Sequence, residues 1–336
     1  VTPQGKTAGL YWGLAIGLIG VGSLSVMTGS TDLLQWRHFL GFLGGSNDEA
    51  TQKAWLVFSQ LRLPRIVLAG QAGAALGVSG ALLQSYFKNP LAEPYILGIS
   101  SAAAFGAVLW AALVAGWAGL NLGGMLCAFA SALATVLLVC AIARSDGALH
   151  NHRVLLAGVA VGVLFSALTM GVLLNSGTQQ FRAFLHWMMG SVAHQSWGEI
   201  RLLGPVVVLG IAFSIRQWRE LDWLALDEDA AFTAGVPVRQ TRRAILGIAV
   251  VLAAASVAVC GTVAFVGLIV PHILRRLGGA GHRHLLLQSA FGGALLVMTA
   301  DYVGRVGFPG QEMPLSLVTS AVGALFFLTL LKSGTR

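Results

Sequence analysis

The chain has 336 residues, of which 56% are hydrophobic and 10% charged, with a mean hydropathy of +0.77. Soluble domains carry roughly 25% charged residues, so this composition excludes a soluble enzyme, a nucleic-acid reader and a disordered scaffold, and leaves a polytopic membrane protein. The net charge of +8 sits in short loops between apolar runs, where basic residues set orientation rather than hold nucleic acid.

A hydrocarbon core about 30 Å thick takes about 20 apolar residues per helical crossing. The chain therefore has room for roughly ten helices and little else. The expected fold is all-α, with one transmembrane domain over residues 1–336. The 43 glycines suit close helix approach in lipid, where no hydrophobic force drives helices together. Cys127, Cys140 and Cys260 lie inside apolar runs without CxxC spacing, and read as small buried hydrophobes.

The first apolar run is Leu10 to Met27. No small-residue cleavage pattern follows it, so it reads as a retained helix. A polar stretch from Ser30 to Lys53, with Trp36 and Gly44-Gly45-Ser46, is the longest non-membrane segment of the first half. Further runs lie near 65–87, 95–117, 122–143, 154–175, 202–215, 244–270, 285–303 and 314–331. The 244–270 run is long for one helix and meets Pro271, which removes a donor. A short helix from near Phe265 to near Leu277 resolves it and gives ten helices.

With the N-terminus inside, 14 basic residues fall in inner segments and 7 in outer ones. The inner set runs from Lys6 to Arg336 and the outer set from Arg37 to Arg305. That split places both termini inside. A weak echo at an offset of 181 aligns Ala72, Ala74, Val78, Gly80 and Pro90 with Ala253, Ala255, Val259, Gly261 and Pro271. The two segments run in opposite directions in this topology, as an inverted repeat requires.

Three segments carry polar chemistry. Arg62-Leu63-Pro64-Arg65 opens a helix on the outer side, with both arginines on one face. They serve either as interfacial anchors or as forks for an acidic partner. Asn89-Pro90-Leu91-Ala92-Glu93-Pro94 must be a stiff inner turn, because two prolines four apart do not share a regular helix. In Leu226 to Arg243, Asp227 can cap a helix whose first turn holds Glu228 and Asp229, and Gly235 with Pro237 can close it. That spacing predicts a separate helix of about two turns in the longest inner loop, with a second brief element after it. Asp301 has Arg305 four residues on, which reads as a local ion pair.

The runs RLPR, SGALLQ and NPLAEPYILGISSAA, then RVLLAGVA at 153–160, WMMGS at 187–191, DEDAAFTAGVP, AFVGLIVPH at 264–272 and ADYVGR at 300–305 follow in order. Together they resemble the iron-chelate and vitamin B12 permeases of binding-protein-dependent ABC importers. The resemblance implies ten helices per subunit, a homodimer, a periplasmic substrate-binding protein outside and two ATPase subunits inside. It implies that Arg62, Arg65 and Arg305 meet glutamates of the binding protein. Asp227, Glu228, Asp229, Ala231, Phe232, Gly235, Val236 and Pro237, within a cytoplasmic loop at 227–243, match the coupling helices that seat on the ATPase. Asn89 and Leu91 match one part of the inner gate, Asn151 and His152 the other. His150-Asn151-His152 departs from the small hydroxyl residues that similar proteins carry there.

The chain holds no complete Walker A motif; Gly5-Lys6-Thr7 is only the tail of one. The expectation is thus a non-catalytic permease in a bacterial inner membrane, in contact with lipid and binding no cofactor, with ATP and Mg held by its partner. The expected cargo is an iron chelate, haem or ferric siderophore, with cobalamin as the alternative. An ion-coupled secondary transporter is the more distant reading, disfavoured by the scarcity of intramembrane ionisable groups.

Overall fold

A computed structural model describes residues 3–28, 48–114, 121–145, 148–193, 196–307 and 312–333. Arg37, Trp36, the Gly44-Gly45-Ser46 segment and Arg336 lie outside these. Helix α1 (Pro3–Met27) is followed by α2 (Glu49–Val57), which continues through a π turn (Phe58–Arg62) into α3 (Leu63–Tyr86). A 3-10 turn (Pro94–Leu97) leads to α4 (Ile99–Leu113) and α5 (Leu122–Ala143). A minimal hairpin pairs β1 (Arg144–Ser145) with β2 (Ala148–Leu149), antiparallel. Next come α6 (Asn151–Leu174), α7 (Thr178–Met188) and α8 (Trp197–Arg216). The chain continues through α9 (Trp218–Leu226), α10 (Glu228–Thr233), α11 (Val238–Cys260), α12 (Val266–Gly278), α13 (His282–Val306) and α14 (Leu315–Ser333).

Seven segments among the described residues are long and apolar enough to cross a membrane: α1, α2 with α3, α5, α6, α8, α11 and α13. Helices α4 and α14 are shorter apolar elements, and α12 is the short helix expected from the sequence. Together they make ten.

Helix α3 is the central element, and its sequence explains why. Gly73, Gly77 and Gly80 form one face, and each lets another backbone approach. A Cβ on Gly73 would lie 2.2 Å from the Gly293 carbonyl oxygen, and one on Gly293 would lie 2.1 Å from that of Gly73. A Cβ on Gly80 would lie 1.8 Å from the Gly267 oxygen. Helices α13 and α12 therefore touch α3 backbone to backbone, the contact that small residues permit. On another side of α3, Ser79 Oγ donates to Ala249 O at 2.7 Å, and Ser256 Oγ of α11 donates back to Ala72 O at 3.4 Å. The rising register on α3 meets a falling one on α11, so the echoing segments are antiparallel.

Pro271 lies inside α12, within the short helix expected from near Phe265 to near Leu277. A proline frees the carbonyl four residues before it, here that of Gly267. Gln84 Nε2 donates to that oxygen at 3.3 Å and to Leu268 O at 3.1 Å. The break in the 244–270 run falls earlier, between α11 and α12, where Gly261 (φ 72°) and Phe265 (φ 66°) turn the chain.

Phe265 N donates to Glu93 Oε1 at 2.6 Å, so the stiff loop after α3 caps the start of α12. Burial pushes the Glu93 carboxyl up to about 7 against the opposing pull of that hydrogen bond. The folded state therefore holds a proton that the unfolded chain has released. The stability linked to this proton is full below the ordinary value of 4.5 and is lost as pH rises through about 7. The thermal midpoint of detergent-solubilised protein should fall between pH values on either side of that window. In Glu93→Gln that step should vanish.

Candidate docking and coupling sites

One end of the bundle gathers the three arginines read from the sequence. Arg62-Leu63-Pro64-Arg65 does not open a helix as expected: Pro64 follows the π turn that joins α2 to α3 in one continuous helical span, and Arg62 and Arg65 flank it. Arg62 is only 6% exposed, and its Nη1 donates to Val26 O at the end of α1. Arg305 donates through Nη1 to Thr28 O at 2.9 Å, and through Nη2 to Ser25 O at 2.8 Å and Ser25 Oγ at 2.7 Å.

Arg65 is the most heavily engaged of the three. Its Nε donates to both Asp301 oxygens at 2.9 and 3.0 Å, and its Nη2 donates to Asp301 Oδ1 at 2.8 Å. Its Nη1 bonds Glu312 at 3.0 and 3.1 Å. The local Asp301–Arg305 pair expected from i,i+4 spacing is therefore not formed. Asp301 is buried and turned toward α3, where the Arg65 fork meets it side-on, while Arg305 turns to the carbonyls that end α1. Sequence reasoning missed Glu312, which remains 51% exposed and is the easier of the two carboxylates to exchange.

The opposite end carries the 226–243 segment. Asp227 occupies the N-cap of α10 in extended conformation, but its exposed carboxylate makes no cap bond and acts only through the helix dipole. Gly235 (φ 82°) closes the helix: Val236 N donates to Ala231 O at 3.0 Å and Gly235 N to Phe232 O at 2.9 Å. This is the Schellman pattern. Ala231 and Val236 are buried beneath the turn, Asp229 is exposed, and Phe232 stands 75% exposed at the tip. Pro237 is the N-cap of α11. The second brief element lies before α10, as α9, and not after it. Leu221 and Leu224 are buried on one face of α9, while α11 begins straight after Pro237.

Both helices of this knob are tied to the end of α3. From α10, Glu228 pairs with Arg242 Nη1. Arg242 Nη2 donates to Asn151 Oδ1 at 2.7 Å, and its Cζ lies 4.6 Å from the Tyr86 ring centroid. From α9, Asp222 Oδ1 accepts from His282 N at 2.9 Å and lies 2.7 Å from His282 Nδ1. His282 Nε2 is 2.6 Å from Ser85 Oγ. Burial raises the Asp222 carboxyl, and the hydrogen bonds from His282 outweigh that, holding it below the usual carboxylate range. Arg275 donates to Ser85 Oγ and to Gln84 Oε1, each at 3.1 Å.

Ser85 and Tyr86 end the helix that leads directly into the Asn89 turn, where Asn89 Oδ1 accepts from Leu91 N at 2.9 Å. Leu91 is exposed. The two gate segments read from the sequence, Asn89 with Leu91 and Asn151 with His152, are thus bridged through Tyr86 and Arg242. A cleft of about 850 Å³ opens beside this bridge, lined by His150, Asn151, His152, Glu228, Phe232 and Arg242 among others. His150 and His152 are both exposed, with ring centroids 5.9 Å apart.

A solved structure with this architecture is a metal-chelate type ABC transporter in an inward-facing conformation. It matches 97% of this chain and 99% of its own, with a TM-score of 0.83 at 29% identity. The present chain is the permease subunit of an ABC importer, a multi-pass membrane protein. Curated relatives agree. The hemin transport system permease protein HmuU of Yersinia pestis is 36% identical, with 95% of this chain and 91% of that protein aligned. The Fe(3+) dicitrate transport system permease protein FecD of Escherichia coli is 35% identical over 95% of this chain and 96% of its own. The cobalamin import system permease protein BtuC of Halobacterium salinarum is 41% identical over 84% of this chain and 74% of its own. With residues 17–333 matched by the FecCD transport family, the chain belongs to that family.

Proposed function

We propose that this chain forms, with a second copy of itself, the pathway by which an iron chelate, haem or ferric siderophore, crosses a bacterial inner membrane. Residues 1–336 act as one permease domain with both termini cytoplasmic. Loop 227–243 is the cytoplasmic surface on which one of two ATPase subunits seats, and ATP and Mg belong to that partner. The chain itself binds no cofactor and catalyses nothing. The observation that carries this reading is Phe232. A large apolar side chain held in the open on a six-residue helix with both ends defined is costly in water and suits burial in a partner's groove.

A periplasmic binding protein docks at the arginine end. Arg65 is the fork best placed to exchange, swapping Glu312 for a partner glutamate on Nη1 while Asp301 stays bound. Arg62 and Arg305 hold α1 in place beneath it. Cobalamin is the second cargo reading, favoured by the relative named for it.

The test is reconstitution in vesicles with a partner ATPase and a periplasmic binding protein. Uptake of ferric chelate should need ATP, Mg and the binding protein together. Uphill uptake on an ion gradient without nucleotide would overturn the class. Titrating the binding protein with haem, a ferric siderophore and cobalamin assigns the cargo, and tightest binding of cobalamin would displace the iron reading.

A further inference from the structure

A third polar cluster is used by neither the docking nor the coupling site. At the junction of α8 and α9 lies a cleft of about 590 Å³ lined by Ala212, Ile215, Arg216, Trp218, Arg219 and Arg283. An adjoining hollow of about 420 Å³ shares Arg216, Trp218 and Arg219 and adds Phe213, Gln217 and Glu220. The three arginines are exposed, and none forms an ion pair among the described residues. Two of them lie against one indole: Arg219 Cζ is 5.2 Å and Arg283 Cζ 5.7 Å from the Trp218 ring centroid.

The electrostatics of this cluster are unbalanced. Arg219 and Arg283 stand in the first turns of α9 and α13, where the helix dipole disfavours cations. Glu220 is the single carboxylate lining either space, and Asp222 on the same helix is committed to His282. Three guanidiniums beside one carboxylate, with no ion pair formed, leave an excess of positive charge that calls for an anion. The wall beside them is apolar, through Ala212, Phe213 and Ile215. It continues along the membrane-crossing helix α8 to Val208 and Leu209, which are 66% and 57% exposed. Cationic heads, an interfacial tryptophan and an apolar track leading into the bilayer together match a lipid and not a soluble ion.

We propose that this cleft binds an anionic phospholipid, its phosphate held by Arg216, Arg219 and Arg283 and its acyl chain laid along α8. Trp218 fixes the depth of the headgroup. The site lies at the bundle end that carries the knob, so the bound lipid would steady the joint between the last crossing of α8 and helix α9. Lipid binding does not depend on the cargo or on ATPase docking, so it can be tested on the full chain alone.

Native mass spectra of detergent-released protein should show one phosphatidylglycerol retained per chain and no phosphatidylcholine. The Arg216→Gln, Arg219→Gln, Arg283→Gln variant should lose roughly two orders of magnitude in affinity for phosphatidylglycerol, and Arg219→Gln alone roughly fivefold. The single variant keeps the proposal testable should the triple one fold poorly. Inorganic phosphate should not displace the lipid. Equal retention of phosphatidylglycerol by wild type and both variants overturns the proposal. So does displacement by inorganic phosphate, which would mark a soluble-anion site. Unchanged lipid retention with loss of a co-purifying ATPase subunit would assign the arginines to that partner instead.

Discussion

Gly80→Ala should abolish accumulation of folded protein. The added methyl carbon would stand 1.8 Å from the Gly267 carbonyl oxygen and 2.4 Å from the Gly267 Cα, both backbone atoms. No rotamer change relieves a clash between two backbones, so α3 and α12 must separate. Separation also pulls Gln84 away from the Gly267 oxygen that Pro271 leaves without a helical donor. Overpacking alone costs about 1–3 kcal/mol, and an unsatisfied carbonyl within a membrane domain adds several kcal/mol. The control is Gly20→Ala on α1, which has nothing within 4 Å of the added carbon and gains helix propensity. Size-exclusion profiles of detergent-solubilised protein check both. A monodisperse Gly80→Ala peak at wild-type yield would show that the close approach is not needed.

Local chemistry was legible in the sequence where the signals sit next to one another. The knob at 227–237 could be read because Gly235 and Pro237 each fix a backbone position by themselves, while Asp227, Glu228 and Asp229 mark the helix start through its dipole. The short helix after Phe265 followed from run length. Pairings across the bundle were not legible. Asp301 meets Arg65, 236 residues away, and nothing near Asp301 competes on paper with the neighbour Arg305. Helix α9 escaped notice because Trp218 to Leu226 has one narrow apolar face between a spanning helix and a polar loop. Burial of Leu221 and Leu224 against the bundle is what fixes its position. Arg242 was hidden among Arg239 and Arg243, where all three read equally as an orientation signal. What singles it out is partial burial, at 19% side-chain exposure, against the Tyr86 ring.

That burial makes Arg242 the residue whose loss should separate nucleotide hydrolysis from transport. Three elements meet at its guanidinium: Glu228 on the knob, Asn151 at the start of α6, and Tyr86 at the end of α3. A displacement of α10 by a partner has a direct route through this group to the start of α6 and the end of α3, the two segments proposed as the inner gate. The parallel route, Asp222 to His282 to Ser85, starts from α9 and reaches α3 but does not touch Asn151. Arg242→Ala should therefore leave ATPase docking and hydrolysis within about twofold, and cut uptake per ATP by at least about tenfold, equivalent to 1.4 kcal/mol of lost coupling. The fold should survive, since Glu228 is 47% exposed and rehydrates when its partner leaves. Arg242→Lys keeps the charge but gives up the planar fork that serves Glu228 and Asn151 together, so its uptake per ATP should fall between the two. Simultaneous measurement of phosphate release and cargo accumulation in vesicles reads the ratio. Equal ratios in wild type and Arg242→Ala, with the complex intact, would remove Arg242 from the transmission route while leaving the permease assignment standing.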